Sequence, residues 1–406
     1  MKNPLVALAA LAVAGAATAQ SSLTLFGVVD LGVAGFSSKA TNAAGNTVKA
    51  TKTALYSGGI NGSRLGFRGT EDLGGGLAAG FWLEAGMAAD TGVVGGTTAG
   101  GNSYFNRRST VSLSGPFGEV RLGRDYTPTY WNDGVFDPFG NAGITYNVIT
   151  LVNAGLFTVA GAKTPLGAGG LNSDPYARSN HSISYFLPSN LGGFYGEVQY
   201  AFPGNTRVTG STSPAIGREI GGRFGYAKGP LDVALAYGRT TMDGGFGAGV
   251  STYRAWSNNK IDTLNLGMSY DFGVVKLFGE LSQVQQKLSN KGSLGNTGKD
   301  KYNGWLVGAT VPVGAGLILT SYSHVRASTS NSLTWGSPAA RVGQWALGYE
   351  YNLSRRTALY ALLAGQNLKG AQNNVAISTV NTGVAYAAGG TPKSSMAYNL
   401  GMRHTF

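Results

Sequence analysis

The stretch SRLGFRGTEDLGGGLAAGFWLE, residues 63–84, decides the fold. Leu65 and Phe67 share one parity, Arg64 and Arg68 the other, and after Asp72-Leu73-Gly74-Gly75 the alternation resumes with Phe81 and Leu83 against Trp82 and Glu84. Successive side chains of a strand point to opposite faces, so these residues read as two strands, near 62–71 and 76–89, joined by a tight turn. One face is apolar and the other charged. A cation turned toward hydrocarbon at a bilayer midplane costs about 2–4 kcal/mol, so if the apolar face meets lipid, Arg64 and Arg68 must point inward.

The same period continues to both ends. Leu23, Leu25, Val29, Leu31 and Val33 open the series, and Met396, Tyr398, Leu400, Met402 and Phe406 close it. Between them, strands are predicted near 105–114, 118–125, 177–187, 193–202, 217–227, 231–242, 260–271, 274–288, 301–312, 317–328, 341–352 and 356–369, sixteen in all. The connections sort by length. Those at Gly115-Pro116-Phe117, Lys228-Gly229-Pro230, Phe272-Gly273 and Leu353-Ser354-Arg355 are tight, whereas those near 38–61, 90–104, 126–176, 203–216, 243–259, 289–300, 329–340 and 370–394 are long and polar. Short turns on one rim and long loops on the other predict an all-β fold, a transmembrane antiparallel barrel with both termini on the short-turn side. A soluble sandwich has no reason to sort its connections in this way.

Composition excludes most other classes. Gly accounts for 65 of 406 residues, Cys for none and charged residues for 12%, against a usual charged share of about 25%. A disulfide scaffold, a thiolate enzyme and a zinc knuckle are therefore excluded. Residues 1–19 carry Lys2, an apolar run and a small-residue end at Ala17-Thr18-Ala19, which predicts a cleaved export signal, leaving 20–406 as one barrel domain. His181, His324 and His404 are scattered with no HExxH, so no catalytic residues and no cofactor or metal are assigned, and an enzyme is not expected. The formal charge of +12 is dispersed at strand spacing, which argues against nucleic acid. The Gly clusters at 74–76 and 244–249 are what such a composition produces by chance.

Several segments together resemble the sixteen-stranded general porins of Gram-negative outer membranes, most closely the beta-proteobacterial branch. They are SLTLFGVVDLGV at 22–33, residues 63–84, GEVRLGRDYTP at 118–128, DPFG at 137–140 and YNLGMRHTF at 398–406. The resemblance implies a homotrimer in the outer membrane, contact with its lipid and lipopolysaccharide, and an aqueous pore in each barrel narrowed by an inward-folded third loop. It also implies that Phe406 is the terminal aromatic recognised by the barrel assembly machinery.

Selectivity in such a pore comes from lumen charge and width. Alternation turns Glu84, Arg121, Arg223 and Lys276 inward along with Arg64 and Arg68. Strict alternation from Val111 and Leu113 favours Arg108 over Arg107, while the resemblance favours Arg107; a bulge would reconcile them. The resemblance further implies Arg178 as a wall cation and Asp133 and Asp137 as loop acids facing the basic wall, with Asn141 standing where the family can carry another acid. The constriction is thus expected to combine Arg64, Arg68, Arg107, Arg121 and Arg178 with Glu84, Asp133 and Asp137, passing small anionic or polar solutes passively. Two rivals stay open. Tyr126, Tyr130, Trp131 and Tyr146 would suit a substrate-specific channel, and a surface or adhesive barrel would conduct nothing.

Overall fold

The computed structural model describes residues 22–98, 101–157, 176–203, 218–242, 259–288, 298–329, 340–370 and 391–406; the expected export signal and the Gly cluster at 244–249 lie outside them. Sixteen antiparallel staves close into a barrel. They are β1 (Ser22–Thr41), β2 in two parts (Thr47–Ser57 and Arg64–Gly74), β3 (Leu77–Ala88), β4 (Arg108–Gly115), β5 (Gly118–Tyr126), β6 (Arg178–Phe186), β7 (Phe194–Ala201) and β8 (Glu219–Lys228). The second half comprises β9 (Leu231–Met242), β10 (Asn259–Asp271), β11 (Lys276–Leu288), β12 (Gly298–Val313), β13 (Gly316–Thr329), β14 (Arg341–Asn352), β15 (Thr357–Lys369) and β16 (Thr391–Thr405). Each stave pairs with its sequence neighbours, and β1 pairs with β16 from Val28↔Thr405 to Thr41↔Thr391. Gly27 and Phe406 complete the seam by exchanging backbone hydrogen bonds of 3.0 and 3.1 Å.

Alternation sets the two faces of the wall. Leu23, Val198, Phe224, Leu281 and Leu400 project outward and are more than half exposed, while their chain neighbours face the lumen. Among the described residues no helix is long and apolar enough to cross a membrane. Crossing by closed strands satisfies the same demand, because every backbone donor and acceptor finds its partner on the next stave.

One boundary differs from expectation. Residues 38–61, read as a long loop, are mostly strand: β1 and β2 run on as a ribbon in register to Thr41↔Thr47, closed by a short turn in which Asn42 Oδ1 accepts from the Asn46 amide at 2.9 Å. In TVKATKTALYS the outward face, marked by the exposed Leu55, otherwise carries Thr47, Lys49, Thr51 and Thr53, so no lipid imposes an apolar alternation there. β2 then breaks at residues 58–63. There Asp30 Oδ2 accepts from the amides of Ile60 and Asn61 at 2.9 and 2.8 Å, and Tyr360 donates to Asp30 Oδ1 at 2.6 Å, drawing the interruption toward the lumen.

The connection after β5 enters the barrel. Thr127 caps α1 (Pro128–Val135) by accepting from the Tyr130 amide at 3.3 Å, with Pro128 at the first helical position, where no amide donor is needed. A 3-10 turn, Gly143–Thr145, and α2 (Val148–Phe157) follow. This segment seats on glycines of the inner wall: Phe136 on Gly267, Pro138 on Gly308, Phe139 on Gly348 and Ile149 on Gly304. α2 also packs against Ile261, Val284, Leu306, Val325 and Val342, which face inward from β10 to β14. An apolar core therefore fills one side of the lumen, and water is left the side bounded by the earlier staves. A side chain at position 267 would occupy the volume of the Phe136 ring. Gly267→Val is expected to cost about 1–3 kcal/mol by overpacking and to dislodge the loop. Single-channel recording checks this: conductance rises while the folded barrel's heat-shifted mobility is retained, and unchanged conductance would show that the loop does not depend on this seat.

Candidate functional site

The open side of the lumen is a cavity of about 870 Å³. Its wall carries six arginines (Arg64, Arg107, Arg108, Arg121, Arg178 and Arg223) and three carboxylates (Glu84, Asp125 and Glu197) from β2 to β8 and the residues just before β4. The opposite face belongs to the inserted loop. Tyr130, Trp131, Val135, Phe139 and Tyr146 line it among glycines and small polar groups, with no charged side chain among the described residues.

The arginines are held apart by a network. Glu84 accepts from Arg107 Nε at 2.5 Å and from Trp82 Nε1 at 3.0 Å, with Arg64 Nε 3.7 Å away. Arg64 is steadied by donation to Asn61 Oδ1 at 2.8 Å, an acceptor brought inward by the break in β2. The Tyr126 hydroxyl accepts from both Arg107 Nη2 at 2.8 Å and Arg178 Nη2 at 2.9 Å, and the Arg178 guanidinium lies 4.4 Å from the Tyr126 ring centre. Arg121 chelates Glu119 and reaches Asp125 at 2.6 Å, while Arg108 stacks on Trp82 at 4.5 Å. Arg223 donates to Asn132 Oδ1 at 2.8 Å and to the Tyr195 hydroxyl at 3.0 Å, tying β8 to the loop. Neutral oxygens and ring faces position Arg178 and Arg223 without cancelling their charge, so the wall keeps a formal excess of three cations.

The arginines at 107 and 108 both line the cavity. Arg107 precedes the first residue of β4, where the ladder's alternation has not begun, and its amide bonds to the Glu84 carbonyl at 3.1 Å, so no bulge is required. Arg68 faces inward but lies outside the cavity lining, spread over Phe26 and Trp82 at 5.4 and 5.1 Å. The expectation that Asp133 and Asp137 face the basic wall is not met. Asp133 is fully buried where α1 meets the far wall, accepting from Asn265, Tyr176 and Thr150, and Asp137 accepts from the amides of Phe139 and Asn141 and from Asn147 Nδ2. Their physical role here is to hold the loop together and fasten it, because a buried carboxylate collects the donors a folded loop must satisfy. Asp125, Glu197 and Tyr195 join the site without a sequence expectation, and Tyr126, expected among the loop aromatics, serves here as the acceptor shared by Arg107 and Arg178. Inward parity alone could have flagged Asp125 and Glu197, but not which inward positions lie at the level of the loop.

A closed sixteen-stave barrel with an inserted loop and a charged lumen defines an outer-membrane channel. Residues 5–371 match the profile of the Gram-negative porins, and the chain belongs to that family. It is 40% identical over 408 residues, the whole of both chains, to outer membrane porin protein 32 of Delftia acidovorans, and 32% identical to an outer membrane porin of Bordetella pertussis over 89% of this chain and 93% of the other. Among solved structures, the anion-selective porin from Comamonas acidovorans superposes with a TM-score of 0.69 at 36% identity, covering 95% of this chain and all of that one. Salmonella typhi OmpF shares the fold, with a TM-score of 0.58 at 15% identity.

Burial pushes the Asp133 carboxyl up to about 6, against the opposing effect of its hydrogen bonds. A folded pKa above the unfolded one makes the contribution of Asp133 to stability greatest below about pH 4 and lost as pH rises through about 6. The stability of the wild type relative to Asp133→Asn is therefore expected to fall as pH rises from about 4 through about 6. Thermal unfolding of both proteins from pH 4 to 7 measures it, and a difference independent of pH would contradict the burial argument.

Proposed function

We propose that this porin is a passive diffusion pore that favours small anions, with the constriction formed by Arg64, Arg107, Arg108, Arg121, Arg178 and Arg223 against the uncharged face of the inserted loop. The observation that carries the reading is the imbalance in the cavity: among the described residues its lining holds six arginines, three carboxylates and no acid on the loop side. Its similarity to the anion-selective porin from Comamonas acidovorans supports it. Glu84 orients Arg107 and Arg64, and Asp125 orients Arg121 and Arg108, at the cost of part of the field. Arg68 lies outside the lining of the narrow zone and contributes to the field nearer the short-turn rim.

A unit charge acts on an ion about 7 Å away with about 0.6 kcal/mol in bulk water, and more where low-dielectric walls focus the field. Because anion and cation feel opposite signs, removing Arg64 and Arg178 is expected to lower the anion-to-cation permeability ratio by roughly tenfold at low salt. The bias shrinks as the Debye length falls from about 10 Å at 0.1 M to about 3 Å at 1 M. The zero-current potential across a KCl gradient, for the wild type and for Arg64→Ala/Arg178→Ala, tests this; a cation-selective wild type, or a potential unmoved by the double substitution, refutes it.

We infer a homotrimer, supported by the family resemblance and by the small residues Gly27, Gly35 and Ala79 at outward parity on the early staves, which permit close contact between barrels. Phe406, half exposed at the seam, is the residue we assign to recognition by the assembly machinery. The protein is expected to migrate as a trimer in mild detergent without heating. A monomer under those conditions excludes a stable trimer.

A further inference from the structure

The inserted loop turns one large ring toward the water. On α1, Thr129, Asn132 and Asp133 form the buried stripe against the far wall, which puts Trp131 on the other side of the helix, where it lines the cavity and is 47% exposed. An indole left in an aqueous passage forgoes the stabilisation that burial of its apolar area would bring. It is also held in place. Its ring packs on Tyr126 at 5.4 Å between centres, Tyr126 lies parallel to Tyr130 at 5.6 Å, and the hydroxyls of Tyr130 and Tyr146 are bonded at 2.7 Å. The loop thus presents an aromatic face whose position is fixed by other rings.

Tyr126 joins this face to the cations. The Arg178 guanidinium lies 4.4 Å from the same tyrosine ring, so indole and guanidinium stand no further apart than those two centre distances together, a gap that one ring bearing a carboxylate can bridge. Arg178 is held by the Arg107 carbonyl and the Tyr126 hydroxyl, and among the described residues no carboxylate lies within ion-pair distance of it. Three more of the cavity arginines, Arg108, Arg121 and Arg223, also lie over rings, at 4.5, 4.1 and 4.6 Å. A guanidinium is flat and weakly hydrated, so it stacks on aromatic faces as readily as it pairs with carboxylates. An inorganic anion uses only the charge of such a wall; an anion that carries a ring uses both properties.

We propose that the constriction holds aromatic carboxylates of the benzoate class in preference to other anions of like size, and that Trp131 determines this specificity. The carboxylate pairs with the Arg178 guanidinium while the ring lies against the indole, so wall charge and loop ring act on one solute. The proposal deepens the anion-selective reading and rests on it, because the rings add nothing for an ion that the field keeps out. A wall that was merely apolar would choose differently. Cyclohexanecarboxylate carries the same charge and buries comparable apolar surface, but it has no π face to set against indole or guanidinium.

The test measures the chloride current of the full-length protein in planar bilayers, at neutral pH and about 0.1 M KCl, where charges are not yet heavily screened. Potassium benzoate, potassium cyclohexanecarboxylate or benzamide is added on one side. Benzoate is expected to halve the chloride current at a concentration roughly threefold to tenfold lower than cyclohexanecarboxylate does. Benzamide, which has the ring without the charge, should leave the current nearly unchanged. Trp131→Leu is expected to abolish the difference between the two acids, and Trp131→Phe, which restores a ring, to keep most of it. Equal block by the two acids in an anion-selective wild type, or a difference that survives in Trp131→Leu, would overturn the proposal. Block by benzamide as strong as that by benzoate would also overturn it, in favour of a ring site that ignores charge. A cation-selective wild type in a KCl gradient would instead refute the reading on which the proposal rests, so the two failures are told apart. Should Trp131→Leu form no channels, the three solutes on the wild type still decide.

Discussion

Everything in this protein follows from the demand that no backbone amide or carbonyl be left unpaired in hydrocarbon. An open sheet would expose two edges to lipid, each unpaired group costing several kcal/mol, so the chain closes β1 on β16 and finishes the seam between Gly27 and Phe406. Closure creates an inside. Once an inside exists, each stave has one face that lipid dictates and one that it does not, and all the chemistry is built on the second.

That inner surface is divided. Staves β10 to β14 present Ile261, Val284, Leu306, Val325 and Val342 inward, which would be unfavourable against water, and α2 covers them. Glycines at 267, 304, 308 and 348 leave room for Phe136, Ile149, Pro138 and Phe139, so the loop can lie close against the wall. The loop thus reaches its position by ordinary hydrophobic packing and by the buried polar contacts of Asp133, Asn132 and Asn265. The remaining half of the lumen is wet, and there the arginines converge.

The outer and inner cations illustrate the same rule with opposite results. Inside, Arg107, Arg121 and Arg64 have carboxylates to orient them, and Arg178 and Arg223 have tyrosine hydroxyls, so their positions are fixed by the protein itself. Outside, Arg326, Arg341 and Lys369 oppose one another with no such partner among the described residues.

Much of this was legible in the chain alone. Two-residue alternation bounded by glycine turns locates the staves to within a few residues, since lipid enforces an apolar face wherever a strand crosses it, and the expense of an outward cation turns Arg64 and Arg121 inward. Where lipid does not reach, the pattern weakens: the ribbon from Thr47 to Ser57 reads as loop because its outward face is polar up to Leu55. What only the tertiary structure decided is which inward residues meet. Alternation gives the face of a residue but not its height relative to the loop, so it could not separate Arg68 from Arg64, bring Asp125, Glu197 and Arg223 into the cavity, or admit both Arg107 and Arg108. Nor could it foresee that Asp133 and Asp137 turn away from the arginines. A loop carboxylate has no period to constrain it, and its direction was set by where Asn265, Tyr176 and Asn147 offered donors in a buried seam.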